Sequence, residues 1–94
     1  MNKNVRTVKL LVEICASWAF RRYNSAFLHL VTALNKEGFE VNYQMKMSPN
    51  YGALEVYLEK LDQERIKVFS KISSGEMINE ENIPDIIENI ANKL

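Results

Sequence analysis

The sequence predicts an α/β domain with a mixed four-stranded sheet and two main helices, in the element order β-α-β-β-β-α. Three observations support this prediction. An apolar run precedes Cys15, apolar residues then recur at helical spacing, and three later segments alternate apolar with polar residues. The chain has 94 residues, enough for one small domain, so we expect a single unit that spans residues 1–94.

A change in periodicity separates the first strand from the first helix. Apolar side chains dominate residues 8–14, which is typical of a central strand covered on both faces. From Phe20 to Leu34, apolar residues recur at steps of three and four, which predicts an amphipathic helix. Gly38 follows this periodic segment and is suited to end the helix.

Alternation predicts the other three strands, in residues 39–46, 54–59 and 66–71. The loops between them contain residues 48–52 and 60–64, where turn-forming residues interrupt the pattern. In the last strand we expect the side chains to divide between the two faces of the sheet, with Ile66, Val68 and Ser70 on one face and Lys67, Phe69 and Lys71 on the other.

An apolar stripe formed by Ile83, Ile86, Ile87, Ile90 and Leu94 predicts the second main helix. Asn82 is suited to cap this helix, and Pro84 suits its first turn. A helix between the first two strands implies a parallel crossover, whereas short connections make the later strands antiparallel. The result is a compact thioredoxin-like plan. It places Cys15 at the carboxyl end of the first strand, where open α/β sheets tend to bind ligands.

Composition narrows the classes of function. The formal net charge is zero, which argues against a broad nucleic-acid or anionic-membrane surface. The single cysteine excludes an internal disulfide and a cysteine-based zinc site. Lys9 and Glu13 interrupt the first apolar run, so we expect neither a signal peptide nor a membrane span. We therefore expect a cytosolic, reducing location, and no bound metal or cofactor.

Three blocks of sequence resemble the selenoprotein W/T/H (Rdx) family. Residues 14–22 read Ile-Cys-Ala-Ser-Trp-Ala-Phe-Arg-Arg and are most similar to the selenoprotein T motif I-C-V-S-U-G-Y-R-R, in which U is selenocysteine. Residues 52–56 resemble the family's G-[AF]-F-E-[IV] strand. Residues 68–71, followed by Gly75, resemble its V-W-S-K…G segment. The membrane-associated insertion of selenoprotein T has no counterpart before residues 52–56, so the overall size resembles selenoprotein W.

The resemblance implies redox chemistry at two positions. Family members pair the cysteine equivalent to Cys15 with a selenocysteine or cysteine at the position of Trp18. The selenocysteine codon UGA differs by one base from the tryptophan codon UGG, and some genetic codes read UGA as tryptophan. Two alternatives follow. In the first, residue 18 is a selenocysteine written as tryptophan. Its selenolate then attacks the substrate, and Cys15 is the resolving thiol. Otherwise Trp18 is genuine, and Cys15 acts only as a monothiol.

Each site residue also has an ordinary structural interpretation. Without the resemblance, Cys15 is a small buried hydrophobe. Trp18 either packs over Cys15 or is an exposed aromatic at a partner surface. Ser17 is expected to cap the first helix, with a hydrogen bond to a thiolate as the alternative. Arg21 and Arg22 either favour a nearby anion or form a solvated basic face.

Gly52 completes the set of candidate supporting residues. It lies in the loop that approaches the active cysteine in a thioredoxin-like fold. A glycine there either permits close backbone approach or forms a turn.

The leading hypothesis is a small thiol or selenol redox protein that acts on protein thiols or on glutathione as a co-substrate. The alternative is a redox-inactive protein-interaction module on the same fold, because an aromatic residue occupies the position of the second chalcogen. A third hypothesis is self-association through an exposed edge strand or through tyrosine and tryptophan side chains. The sequence leaves the oligomeric state open.

Overall fold

The elements follow the predicted order, with one added helical turn. The computed structural model describes residues 6–62 and 64–94. Its elements are β1 (Arg6–Cys15), α1 (Phe20–Lys36), β2 (Phe39–Ser48), β3 (Leu54–Glu59), β4 (Arg65–Ser70), α2 (Lys71–Ser74) and α3 (Ile83–Asn92). The α/β class and the two main helices are confirmed, and α2 is a short turn that the sequence did not predict.

The sheet is mixed and has the strand order β2-β1-β3-β4. Strand β1 pairs in parallel with β2, from Arg6 opposite Phe39 to Cys15 opposite Ser48. Strand β3 is antiparallel to both β1 and β4. The parallel pair arises because α1 carries the chain back across the sheet between β1 and β2. Strands β2 and β4 form the two edges.

Helices α1 and α3 cover the same face of the sheet, because their apolar stripes share one cluster with alternate strand residues. We call this face the covered face. Its main buried residues are Val8, Leu10, Val12 and Ile14 of β1, Leu54, Val56 and Leu58 of β3, Phe27, Leu30 and Leu34 of α1, and Ile83, Ile86 and Ile90 of α3. The other side chains of β1 and β3, including Glu13, Glu55 and Tyr57, point to the opposite face, called the polar face.

A β-bulge corrects the predicted faces of β4. Val56 lies opposite Phe69 but Tyr57 lies opposite Lys67, so Val68 is an extra residue in β4. The extra residue reverses the alternation after it. Phe69 therefore packs against the core of the covered face, and Ser70 moves to the polar face. The prediction that Phe69 and Lys67 share a face is wrong, because simple alternation allows no inserted residue.

The helix ends match the predicted positions, though not every predicted bond. Gly38 follows the end of α1 with a φ of +94°, a conformation that suits glycine. Asn82 is the N-cap residue of α3, but its side chain does not cap the helix: its oxygen accepts from Asn79 N–H, and its amide donates to Met77 O. In the described part of the chain, no helix has the length and apolar character needed to cross a membrane.

Candidate functional site

Cys15 is the last residue of β1, and its side chain is only 2% exposed. Its backbone N–H donates to Ala53 O at 2.9 Å, which ties the end of the strand to the loop of residues 49–53. Helix α1 begins only at Phe20, so Cys15 belongs to the strand end and not to the helix start. The amide groups at the start of α1 therefore belong to residues that follow the turn after Cys15.

Ser17 is the residue that contacts the sulfur. Its Oγ lies 3.3 Å from Cys15 Sγ and accepts from Ala19 N–H at 3.2 Å. The predicted capping role is wrong, because Ala19 is the N-cap residue of α1 and no side chain caps this helix. Ser17 is instead part of the bend before the helix, where its carbonyl accepts from Phe20 N–H. The structure therefore agrees with the second interpretation of Ser17, in which its hydroxyl contacts the sulfur of Cys15.

Trp18 follows in the turn between β1 and α1, and 81% of its surface is exposed. It therefore does not pack over the sulfur, and the structure has the alternative in which it is an exposed aromatic. Position 18 and Cys15 are three residues apart in sequence but have opposite environments: the first is in solvent and the second is buried.

The loop before β3 contains a tight turn at Gly52. Ala53 N–H donates to Asn50 O at 3.2 Å, and Gly52 has a φ of +78°. A β-carbon added at Gly52 would lie 4.0 Å from Lys71 Nζ, which is an ordinary contact distance. Glycine is therefore favoured here by the backbone conformation of the turn, and lack of space is not the reason.

Lys71 connects this loop to α1. Its Nζ lies 5.2 Å from the centroid of the Tyr23 ring, within the range of a cation–π contact. The start of α2, the loop of residues 49–53 and the first turns of α1 therefore meet beside the carboxyl end of β1. The sequence offered no signal for this contact.

Three exposed apolar side chains lie at or just beyond the carboxyl ends of β1 and β2. Trp18, Met47 and Tyr51 are exposed, and we call them the carboxyl-end surface. Met47 lies opposite Ile14, one residue before Cys15, and Tyr51 adjoins Gly52. Exposed apolar residues at one end of a sheet are candidates for a binding surface.

Glu55 is a buried carboxylate that the sequence did not single out. It lies on the polar face and is only 4% exposed. Its oxygens accept from Ser70 Oγ at 2.5 Å and from Ile72 N–H at 3.2 Å, and Lys67 Nζ lies 3.4 Å away. These bonds hold β3, β4 and the start of α2 together. Alternation along β3 predicts that Glu55 points away from the core. It is nevertheless buried, because β3 lies between β1 and β4 in the sheet.

Lys67 completes this group. Burial lowers its pKa, but Tyr57 and the Glu55 carboxylate outweigh that effect and hold the pKa above its ordinary value of 10.5. The Lys67 ammonium also lies 5.5 Å from the centroid of the Tyr57 ring. Tyr57 in turn donates from its hydroxyl to Glu13 Oε1 at 3.3 Å, which continues the polar contacts to β1.

Arg21 and Arg22 lie in the first turn of α1 and are exposed, and both interpretations of these residues require this exposure. Within residues 6–62 and 64–94, no three His, Cys, Asp or Glu side chains come together as a metal site requires. No protein-family model, curated protein or solved structure matches the chain.

Proposed function

We propose that this chain is a thiol or selenol redox protein of the selenoprotein W/T type, in which residue 18 attacks the substrate and Cys15 is the resolving residue. The observation that carries the proposal is the contrast in burial between the two positions. An attacking group must reach a substrate in solvent, whereas a resolving thiol needs to reach only its neighbour. Residue 18 is 81% exposed and Cys15 is 2% exposed.

The convergence of the three resembling blocks is a second support. Cys15 of the first block is hydrogen-bonded to Ala53 of the second block. Glu55 of the second block is hydrogen-bonded to Ser70 of the third. Lys71 of the third block lies beside Gly52 of the second. Segments that are distant in sequence therefore meet at one end of the sheet, around Cys15.

The environment of Trp18 supports selenocysteine as the natural residue 18. In the part of the chain described, the aromatic pair joins Phe27 and Tyr43, and the cation–π contacts involve Phe39, Tyr57 and Tyr23. Trp18 takes part in none of them. At 81% exposure, Trp18 adds little packing to the fold, whereas a reactive chalcogen needs this degree of exposure.

The proposed reaction is a thiol–disulfide exchange. The selenolate of residue 18 attacks one sulfur of a substrate disulfide and expels the other sulfur as a thiolate. The Cys15 thiolate then attacks the selenium, expels the remaining substrate thiolate and closes a selenium–sulfur bond within the chain. Two electrons pass to the substrate. We propose the reducing cytosol as the location. There, two glutathione thiols reduce the selenium–sulfur bond to the selenol and the thiol, and they leave as glutathione disulfide.

Trp18→Cys tests the geometry of this pair in recombinant protein. The substitution is at an exposed position, so we expect the fold to persist. Under mild oxidation the variant should form a disulfide between Cys15 and the new cysteine. Mass spectrometry should show the loss of two hydrogen atoms, and glutathione should reverse it. Trp18→Ser is the matched control, and it should form no intramolecular disulfide. A folded Trp18→Cys variant that keeps two free thiols under oxidant would overturn the proposal.

A redox-inactive interaction module is the second candidate, and two observations favour it. Cys15 is too buried to be an efficient monothiol, and the carboxyl-end surface exposes Trp18, Met47 and Tyr51. This candidate predicts that Cys15→Ser retains the cellular role while Trp18→Ala with Tyr51→Ala abolishes it. A Cys15→Ser phenotype that matches full deletion excludes this candidate.

A further inference from the structure

Strand β2 forms one edge of the sheet in the part of the chain that the structure describes. Among the described strands, β2 pairs with β1 alone, so its outward N–H and C=O groups have no strand partner. Proteins usually protect such edges with short strands, proline, bulges or inward charges. Strand β2 has ten residues, contains no proline and pairs with β1 without a shift of register. It is therefore a long, regular template for another strand.

The sequence of β2 is complementary to itself. We propose that β2 pairs antiparallel with β2 of a second copy of this chain, with Tyr43 on the two-fold axis. In this register each Glu40 lies opposite Lys46 of the other copy, and Asn42 lies opposite Gln44. These pairs lie on the polar face, where opposite charges across strands stabilise pairing.

The same register matches the residues on the covered face. It places Val41 opposite Met45, Phe39 opposite Met47, and Tyr43 opposite its own symmetry copy. Met47 is 61% exposed and Tyr43 is 43% exposed in one chain, so both have apolar surface left to bury. The two-fold axis is perpendicular to the sheet, so the helices of both copies stay on one side. The interface is isologous, as in most homodimers.

Charge selects this register over its neighbours. A shift of two residues in one direction places Glu40 opposite Gln44 and Lys46 opposite Gly38. A shift in the other direction places Glu40 opposite Ser48 and Lys46 opposite Asn42. Both shifts remove every pairing of opposite charges. The two exposed charges of β2 therefore favour the Tyr43-centred dimer, while they discourage other strand additions at the same edge.

Sedimentation velocity on the full chain over a range of concentrations tests the dimer. We expect a concentration-dependent dimer that Glu40→Lys or Lys46→Glu weakens by about tenfold or more, because each substitution creates two like-charge pairs. Both side chains are exposed, so circular dichroism should show that each variant folds. Glu76→Lys makes the same charge change at an exposed position away from β2 and should leave the dimer unchanged.

The double variant Glu40→Lys with Lys46→Glu decides the outcome. It restores opposite charges at both pairs, so the dimer should recover to near its original strength, although each single change weakens it. A wild-type chain that stays monomeric at all concentrations would overturn the proposal. The proposal would also be overturned if the single charge reversals left the dimer affinity unchanged. The same holds if the double variant dimerised as weakly as the single variants.

Discussion

The covered face of the sheet and the carboxyl-end surface use large apolar side chains in opposite ways. On the covered face, Phe27 and Leu30 of α1 are completely buried against the strands. At the carboxyl end of β1, Trp18 and Tyr51 are almost fully exposed, although they are among the largest side chains in the chain. The two regions are continuous in sequence, because the turn that contains Trp18 leads directly into α1.

The difference separates residues that stabilise the fold from residues that are free to act. Burial of a large apolar side chain contributes about 1.5–3 kcal/mol, whereas an exposed one contributes almost nothing to folding. Trp18 and Tyr51 therefore have little role in the stability of one chain. Their exposed positions just beyond the carboxyl ends of β1 and β2 are explained better by chemistry or by a partner.

Phe27→Ala and Trp18→Ala compare the two regions most directly. Removal of the Phe27 ring leaves a cavity in the core and should cost about 3–5 kcal/mol of unfolding free energy. Trp18→Ala should change the free energy by less than about 0.5 kcal/mol. Urea unfolding followed by circular dichroism measures both. Similar losses for the two variants would mean that Trp18 packs against the domain, contrary to the comparison.

Glu55→Ala tests whether a buried polar residue stabilises the fold as buried apolar residues do. The substitution removes the carboxylate that accepts from Ser70 and Ile72 and pairs with Lys67. We expect a loss of about 2–3 kcal/mol in urea unfolding, as for hydrogen bonds to a charged group.

Glu59→Ala is the matched control for Glu55→Ala, because Glu59 lies on the same face of β3. Its ion pair with Arg65 is exposed, so the loss should be no more than about 1 kcal/mol. Equal losses for the two variants would show that the buried carboxylate has no special role.

Gly52→Ala tests the turn beside Cys15 and should have a smaller effect. Alanine is strained at a φ of +78°, so we expect a loss of about 1–2 kcal/mol. Gly52→Asn should lose less, since asparagine tolerates this conformation better. Thermal unfolding of both variants provides the measurement. A loss for asparagine as large as that for alanine would point to a steric cause and contradict the space around Gly52.

The change in the Lys67 contribution with pH should be the smallest effect, and it should appear only at alkaline pH. Its pKa is raised in the folded state, so its stabilising contribution is fully present below pH 10.5 and disappears as the pH rises through the folded-state pKa. The stability difference between wild type and Lys67→Met should therefore be constant near neutral pH and shrink in strongly alkaline solution. A stability difference between the two proteins that increases as the pH rises above 10.5 would contradict a raised pKa for Lys67.

Periodicity predicted the fold because each strand and helix of this chain has a regular pattern of burial. Alternation in residues 39–46 and 54–59 identified β2 and β3, and the helical stripe from Phe20 to Leu34 identified α1. The pattern failed where one residue was inserted, as at Val68, because alternation has no way to count a bulge.

The candidate site was less predictable, because its contacts depend on where loops meet. The sequence located Cys15 and Trp18 through their motif, but it did not say which of them is exposed. Periodicity does not encode the length of the turn before Phe20, so it places Ser17 too close to the helix start. The burial of Glu55 requires knowledge that β3 lies between β1 and β4.

The identity of residue 18 in the natural protein tests the central claim most directly. Mass spectrometry of the tryptic peptide of residues 10–21 from the natural source, together with the codon for residue 18, gives the answer. The proposed redox pair predicts selenium in this peptide and a UGA codon. A peptide with the mass of tryptophan and a UGG codon would contradict the pair and leave Cys15 as a single buried thiol.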